Sequence, residues 1–130
     1  MDIPTNQKYT ENDEWIRVEG DIGIIGITDY AQEQLSDIVY LEIIVSEGDE
    51  VAQGDSCATV ESVKAAADVY MPVSGKIIEV NDELPDTPEI INSDPYGEAW
   101  LVKVEICDPA EVDALLDAAA YQAIIEEKEV

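Results

Sequence analysis

The sequence predicts a mainly β domain, a small barrel or sandwich, with one short internal helix and helices at its C-terminal end. Three observations predict it. Short apolar runs recur at close spacing between Gly, Pro and Asp turn signals, giving roughly seven or eight strands. Residues 28–35 switch from strand-like to helical character. Asp108-Pro109-Ala110-Glu111 then sets an N-cap, a first-turn proline and an acid in helical order. At 130 residues the chain fits one domain, with a β core over about 9–107 and a helical appendage over 108–128.

The elements follow in order. Residues 11–14 (Glu-Asn-Asp-Glu) are a polar turn and residues 15–18 a short strand. Residues 22–27 form a second strand, whose glycines mark bulges or close backbone approach. Thr28 or Asp29 caps the internal helix, with Gln32 placed as in a capping box, and Ser36-Asp37 ends it. Residues 38–45 are an apolar strand. Two turn signals at Gly48 and Gly54 bracket a short one. Residues 57–63 and 66–70 form a hairpin, Pro72–Gly75 a turn, and residues 76–80 a further strand. Residues 81–96, rich in Pro, Asp and Asn, read as loop, and residues 99–106 alternate as a strand. A helix runs from Asp108 to about Leu116, and Asp117 caps a second over 118–127, with Tyr121, Ile124 and Ile125 on one face. Gly48-Asp49-Glu50-Val51 and Gly75-Lys76-Ile77-Ile78 sit symmetrically about the hairpin, as in two interlocked hairpin layers.

Charge narrows the function. The chain carries 31 acids against five lysines and one arginine, for a formal net charge of −25. Nucleic acid is excluded, because phosphate binding needs cations on the protein. Anionic membrane surfaces are excluded likewise, and no apolar run approaches the roughly 20 residues of a span. Such a surface fits docking to basic patches on partner proteins, whose association its field speeds, and equally fits solubility or adaptation to a salty cytoplasm; a monomer is expected at this charge. The N-terminus has neither the basic and apolar regions of a signal peptide nor the Arg-rich character of a transit peptide. The expected compartment is the cytoplasm, or an organelle matrix for a trimmed mature form. Like-charge repulsion predicts that the thermal midpoint rises with added salt. A flat midpoint from 20 mM to 500 mM NaCl would sink that expectation.

Metal and enzyme readings find little support. There is no histidine, and Cys57 and Cys107 lack CxxC spacing, so zinc is excluded. Cys57 reads as a small core hydrophobe. No EF-hand loop, phosphate loop or nucleophile elbow is present.

Lys64 is the residue that stands out. It falls between the two arms of the central hairpin, in Glu61-Ser62-Val63-Lys64-Ala65-Ala66. A lone ammonium on a flexible stem at a hairpin tip suits covalent modification and presentation to other proteins. The motif Glu61–Ala66, with Gly26-Ile27-Thr28-Asp29-Tyr30-Ala31, Pro72-Val73-Ser74-Gly75 and Asp94-Pro95-Tyr96-Gly97, resembles the glycine cleavage system H proteins. The resemblance runs from about residue 9 to 125.

That resemblance implies a barrel-sandwich hybrid, lipoyl-domain-like, with lipoate in amide linkage on Lys64. It implies a non-enzymatic shuttle between the P protein (glycine decarboxylase), the T protein (aminomethyltransferase) and the L protein (dihydrolipoamide dehydrogenase). It further implies that Glu61 and Gly75 serve recognition by the lipoate-attaching enzyme, and that Asn12, Glu14 and Asp68 hold the aminomethyl-loaded arm. Carboxylates suit a cationic amine through charge-assisted hydrogen bonds. Asp13 stands where the family has histidine, adding charge near that site. Ser36 replaces a common glycine, which matters where the backbone needs positive φ. A biotin carrier would need a Met-Lys-Met tip, which Val63 and Ala65 exclude. The alternative is an H-like lipoyl relay, which donates lipoate to other complexes and has no amine to shelter.

Overall fold

The strands divide between two antiparallel sheets. In the computed structural model, which describes residues 2–128, nine strands are present among the described residues. They are β1 (Lys8–Tyr9), β2 (Glu14–Glu19), β3 (Ile22–Ile27), β4 (Ile38–Ile43), β5 (Glu50–Val51), β6 (Ser56–Ser62), β7 (Ala66–Tyr70), β8 (Gly75–Val80) and β9 (Val102–Ile106). One sheet has the order β1-β2-β3-β9-β8-β5 and the other β4-β6-β7. Their inner faces share one apolar cluster, with Ile16, Ile25, Val104 and Ile77 from the first sheet and Leu41, Val60 and Val69 from the second. This is the expected barrel-sandwich architecture. The two symmetric Gly motifs are antiparallel partners, Glu50 against Lys76 and Val51 against Gly75.

The helices are α1 (Asp29–Leu35), α2 (Ile90–Ser93), α3 (Pro109–Asp113) and α4 (Ala118–Lys128). Thr28 is the cap of α1, its Oγ1 accepting from Ala31 N at 3.1 Å. Gln32 donates to the Asp29 side chain instead of closing a capping box on the backbone. Residues 81–96 are less loop-like than expected: a 3-10 turn at Leu84–Asp86 and α2 lie within them. Leu84 and Ile91 are buried there, and that burial offsets the breakers around them. The last strand starts at Val102, and α3 stops at Asp113, short of Leu116, which pairs with Tyr9 instead. Asp117 caps α4 through Ala120 N at 2.8 Å. Cys57 is buried, as expected for a core thiol, and Cys107 is exposed.

Ser36 ends α1 at φ 67°, ψ −150°, a region that favours glycine. Asn92 holds it there, donating to Ser36 O at 2.9 Å and accepting from Ile38 N at 2.9 Å. Ser36→Gly is therefore expected to stabilise the protein by about 1 kcal/mol, the relieved strain outweighing glycine's extra unfolded-state entropy. An unchanged urea midpoint would refute it.

A second cluster joins the C-terminal helix to the large sheet: Tyr9, Trp15, Ile24, Tyr30, Tyr121 and Ile125. Only three ion pairs occur among the described residues, so most of the acids are uncompensated.

Candidate functional site

The hairpin of β6 and β7 closes at Ser62–Ala65, where Ser62 N donates to Ala65 O at 2.8 Å. The Ser62 hydroxyl wraps the turn, accepting from Lys64 N at 3.2 Å and from Ala65 N at 3.0 Å. Val63 N donates to Asp37 O at 3.1 Å, which fastens the tip to the chain leaving α1. Lys64 is exposed, and no hydrogen-bond or ion-pair partner of its ammonium occurs among the described residues. Glu61 is also exposed, opposite Tyr40 on β4 and Ala66 on β7. The backbone of the tip is thus held firmly while its amine is left free.

Beyond the far end of β7 lies a cleft of about 300 Å³, lined among others by Asn12, Glu14, Tyr70, Pro72, Leu115 and Leu116. Glu14 is its floor and is only 2 % exposed. Its Oε1 accepts from Thr10 Oγ1 at 2.6 Å and its Oε2 from Tyr70 N at 3.0 Å. Burial is the main cause that pushes its carboxyl up to about 7, against the lowering effect of those two donors, with the neighbouring Asp13 charge adding to the rise. No cation among the described residues pairs with it. A buried carboxyl in a cleft with no cationic side chain beside it can accept a cationic ligand.

The predicted site residues separate on inspection. Asn12 and Glu14 share the cleft. Asp68 does not line it. Its carboxylate accepts from Thr59 Oγ1 at 3.3 Å on the outward face of the hairpin, two residues nearer the tip than Tyr70. Asp68 therefore stands between Lys64 and the cleft. Gly75 is not a turn residue: it is buried in β8, in the other sheet from Glu61 and from the hairpin whose tip carries Lys64. A Cβ there would lie 2.1 Å from Glu105 O and 2.7 Å from Val104 Cγ2. Gly75→Ala is expected to cost about 3 kcal/mol, since backbone must move to admit the methyl. An unfolding midpoint equal to wild type would contradict this.

Asp13 adds charge beside the site, as expected, and contributes to the rise of the Glu14 carboxyl. Its carboxylate turns away from the cleft, accepting from Tyr121 Oη at 2.9 Å with Lys128 Nζ at 3.8 Å. Two side chains of α4 thus face the added charge. A larger groove of about 560 Å³ along β4, lined by Tyr40, Ile43 and Val45, brings together none of the predicted residues.

The pairing of a free hairpin-tip lysine with an acid-floored cleft invites comparison with known proteins. The family model described as glycine cleavage H-protein matches residues 7–128. The chain belongs to that family. A glycine cleavage system H protein of Carboxydothermus hydrogenoformans is 52% identical over 126 residues, covering 97% of this chain and 96% of the relative. One from Symbiobacterium thermophilum is 53% identical over 125 residues, covering 96% and 97%. The crystal structure of a glycine cleavage system H protein from Mycobacterium marinum superposes with a TM-score of 0.86 at 38% identity, covering 95% of this chain and 99% of that one.

Sequence reasoning missed Ser62, Thr10 and Tyr121. Ser62 carried a signal, a serine two residues before the tip lysine, poised to bond the backbone ahead of it. Thr10 carried none and Tyr121 only its place on the apolar face of the last helix, because their partners are set by tertiary packing.

Proposed function

We propose that this chain is the lipoyl carrier of the glycine cleavage system, itself without catalytic activity. Lipoate is amide-linked to Lys64, and the carrier takes an aminomethyl group from the P protein to the T protein before the L protein reoxidises the dithiol. One observation carries the reading: a free lysine at a rigid hairpin tip shares its hairpin with a cleft floored by the unneutralised Glu14. The residues fit the group. Lys64 is unencumbered, and the adjacent Val63, 70 % exposed, gives an attaching enzyme an apolar hold. When bound, the group supplies a disulfide and dithiol couple and a sulfur that bears the one-carbon unit.

The chain's own residues do the rest. Glu14 and Asn12 bind and orient the cationic amine, and the cleft walls keep water from it. Asp68 meets the arm on its way from tip to cleft. Glu61 contacts the lipoate-attaching enzyme at the tip, while Gly75 serves attachment only by fixing β8 against β9. The cleft acid favours this role over a lipoyl relay, which has no amine to hold. Among the described residues no helix is long and apolar enough to cross a membrane. We take the working form to be a cytoplasmic monomer.

The test is intact mass after incubation with a lipoate ligase, ATP and lipoate, followed by peptide mapping and by glycine–bicarbonate exchange with P protein. A single lipoyl increment on Lys64 with restored exchange is expected. No increment on folded protein would overturn the carrier reading, and an increment without exchange would select the relay.

A further inference from the structure

Tyr121 does not line the cleft, yet its ring and its hydroxyl hold the residues that precede the two halves of the cleft's polar floor. Thr10 and Glu14 form that floor as a donor–acceptor pair. The residue before each is held by Tyr121. Its ring stacks on Tyr9, with centroids 4.7 Å apart and planes 4° apart. Its hydroxyl donates to Asp13 Oδ1 at 2.9 Å. Because that donor is spent on Asp13, the 2.7 Å contact to Thr28 must be Thr28 Oγ1 donating to Tyr121 Oη.

The turn so clamped is a costly one. Asp13 sits at φ 68°, a left-handed conformation that side chains rarely adopt. Its backbone closes the turn on both sides, N donating to Thr10 O at 3.2 Å and O accepting from Thr28 N at 3.0 Å. A strained residue persists where its surroundings over-determine it, and here the last helix supplies that determination. Leu116 adds to it through a pair of backbone hydrogen bonds to Tyr9.

We propose that Tyr121 is a positioning residue for the cleft: through Asp13 and Tyr9 it fixes the Thr10–Glu14 pair that receives the arm's amine. The C-terminal helix is then part of the site and not an appendage. This rests on the cleft being the arm's shelter, and the experiment separates the two.

Two readouts test it. The first uses the lipoylated full chain, loaded by P protein with glycine and then freed of it. Unsheltered, the S–CH₂–NH₃⁺ group takes up one water and leaves as formaldehyde and ammonium, returning a thiol. The rate of formaldehyde release is therefore measured. Glu14→Gln and Tyr121→Phe are expected to speed it about tenfold, the effect of one ordinary hydrogen bond. Asp13→Asn, which still accepts from Tyr121 and tolerates positive φ, should stay within about twofold of wild type, while Asp13→Ala should not. Ile125→Ala loosens the same helix by packing alone and should also stay within about twofold when compared at matched loss of thermal midpoint.

The second readout is amide hydrogen exchange in the unmodified chain. Tyr121→Phe should speed exchange about tenfold at Tyr70 N–H, which ends on Glu14 in the other sheet, and Ile125→Ala should not. Unchanged release in Glu14→Gln overturns the shelter reading and this one with it. Fast release in Glu14→Gln with wild-type behaviour in Tyr121→Phe overturns the positioning role alone. So does equal behaviour of Tyr121→Phe and Ile125→Ala, or of the two Asp13 variants.

Discussion

Lys64→Arg is expected to abolish lipoylation completely while leaving the free energy of urea unfolding within about 0.5 kcal/mol of wild type. The attaching reaction needs a neutral amine. Its lone pair forms the new C–N bond at the activated carbonyl, the bond to the leaving group breaks, and the amine gives up a proton. A lysine amine can reach that form, whereas a guanidinium stays protonated throughout the working range. The charge at the tip is retained, and nothing in the fold depends on the side chain, since Ser62 and Asp37 hold the tip by its backbone amides. None of the other four lysines stands at this hairpin tip, and Lys8 lies within β1. Lys103 lies over the Trp100 ring at 4.8 Å and pairs with Glu79 at 3.3 Å. Lys128 reaches Asp13 and Glu11, and Lys76 lies within the β8 strand between Glu50 and Glu105. Intact mass after exhaustive ligation reads the result directly. A lipoyl increment on the arginine variant would show that another amine is accessible and would remove the tip's special status.

Local signals in this chain are sharp, and tertiary ones are silent. Thr28, Asp108 and Asp117 declare their helices because a short polar side chain before an apolar period has few other uses. The Lys64 hairpin is legible for the same reason: its turn is made by neighbours in sequence. Gly75 shows the limit. Pro72-Val73-Ser74-Gly75 reads as a turn, yet its glycine is demanded by the Glu105 carbonyl 30 residues away. The short helix at Ile90–Ser93 was hidden by breakers, which the burial of Ile91 outweighs. Asp13 and Tyr121 are 108 residues apart. A single sequence says only that an acid replaces a histidine there. Glu14 was named as a candidate site acid through the family resemblance alone, and its burial was not legible: at Glu14, Trp15 and Ile16 three successive side chains are buried, which breaks the alternation a half-exposed strand would show.

That burial gives Glu14→Gln opposite effects on stability and function. The folded-state value of about 7 lies above the ordinary 4.5, so between these limits the folded chain binds the extra proton. Stability from this group is full below pH 4.5 and falls as pH rises through 7. At about 1.4 kcal/mol per unit the loss is at most roughly 3 kcal/mol. A glutamine cannot ionise and still offers its carbonyl to Tyr70 N–H. The variant is therefore expected to be more stable than wild type at pH 8 by about 2 kcal/mol, and no more stable at pH 4.5. Urea unfolding of both chains across pH 4.5–8 measures the difference and cancels the repulsion among the other acids. The same variant should shelter the amine less well, because it presents a dipole where the cleft presented a charge. Natural sites are held below their stability optimum where function needs a strained or charged group. A glutamine variant that tracked wild type at every pH would mean that Glu14 is not the desolvated acid of the cleft.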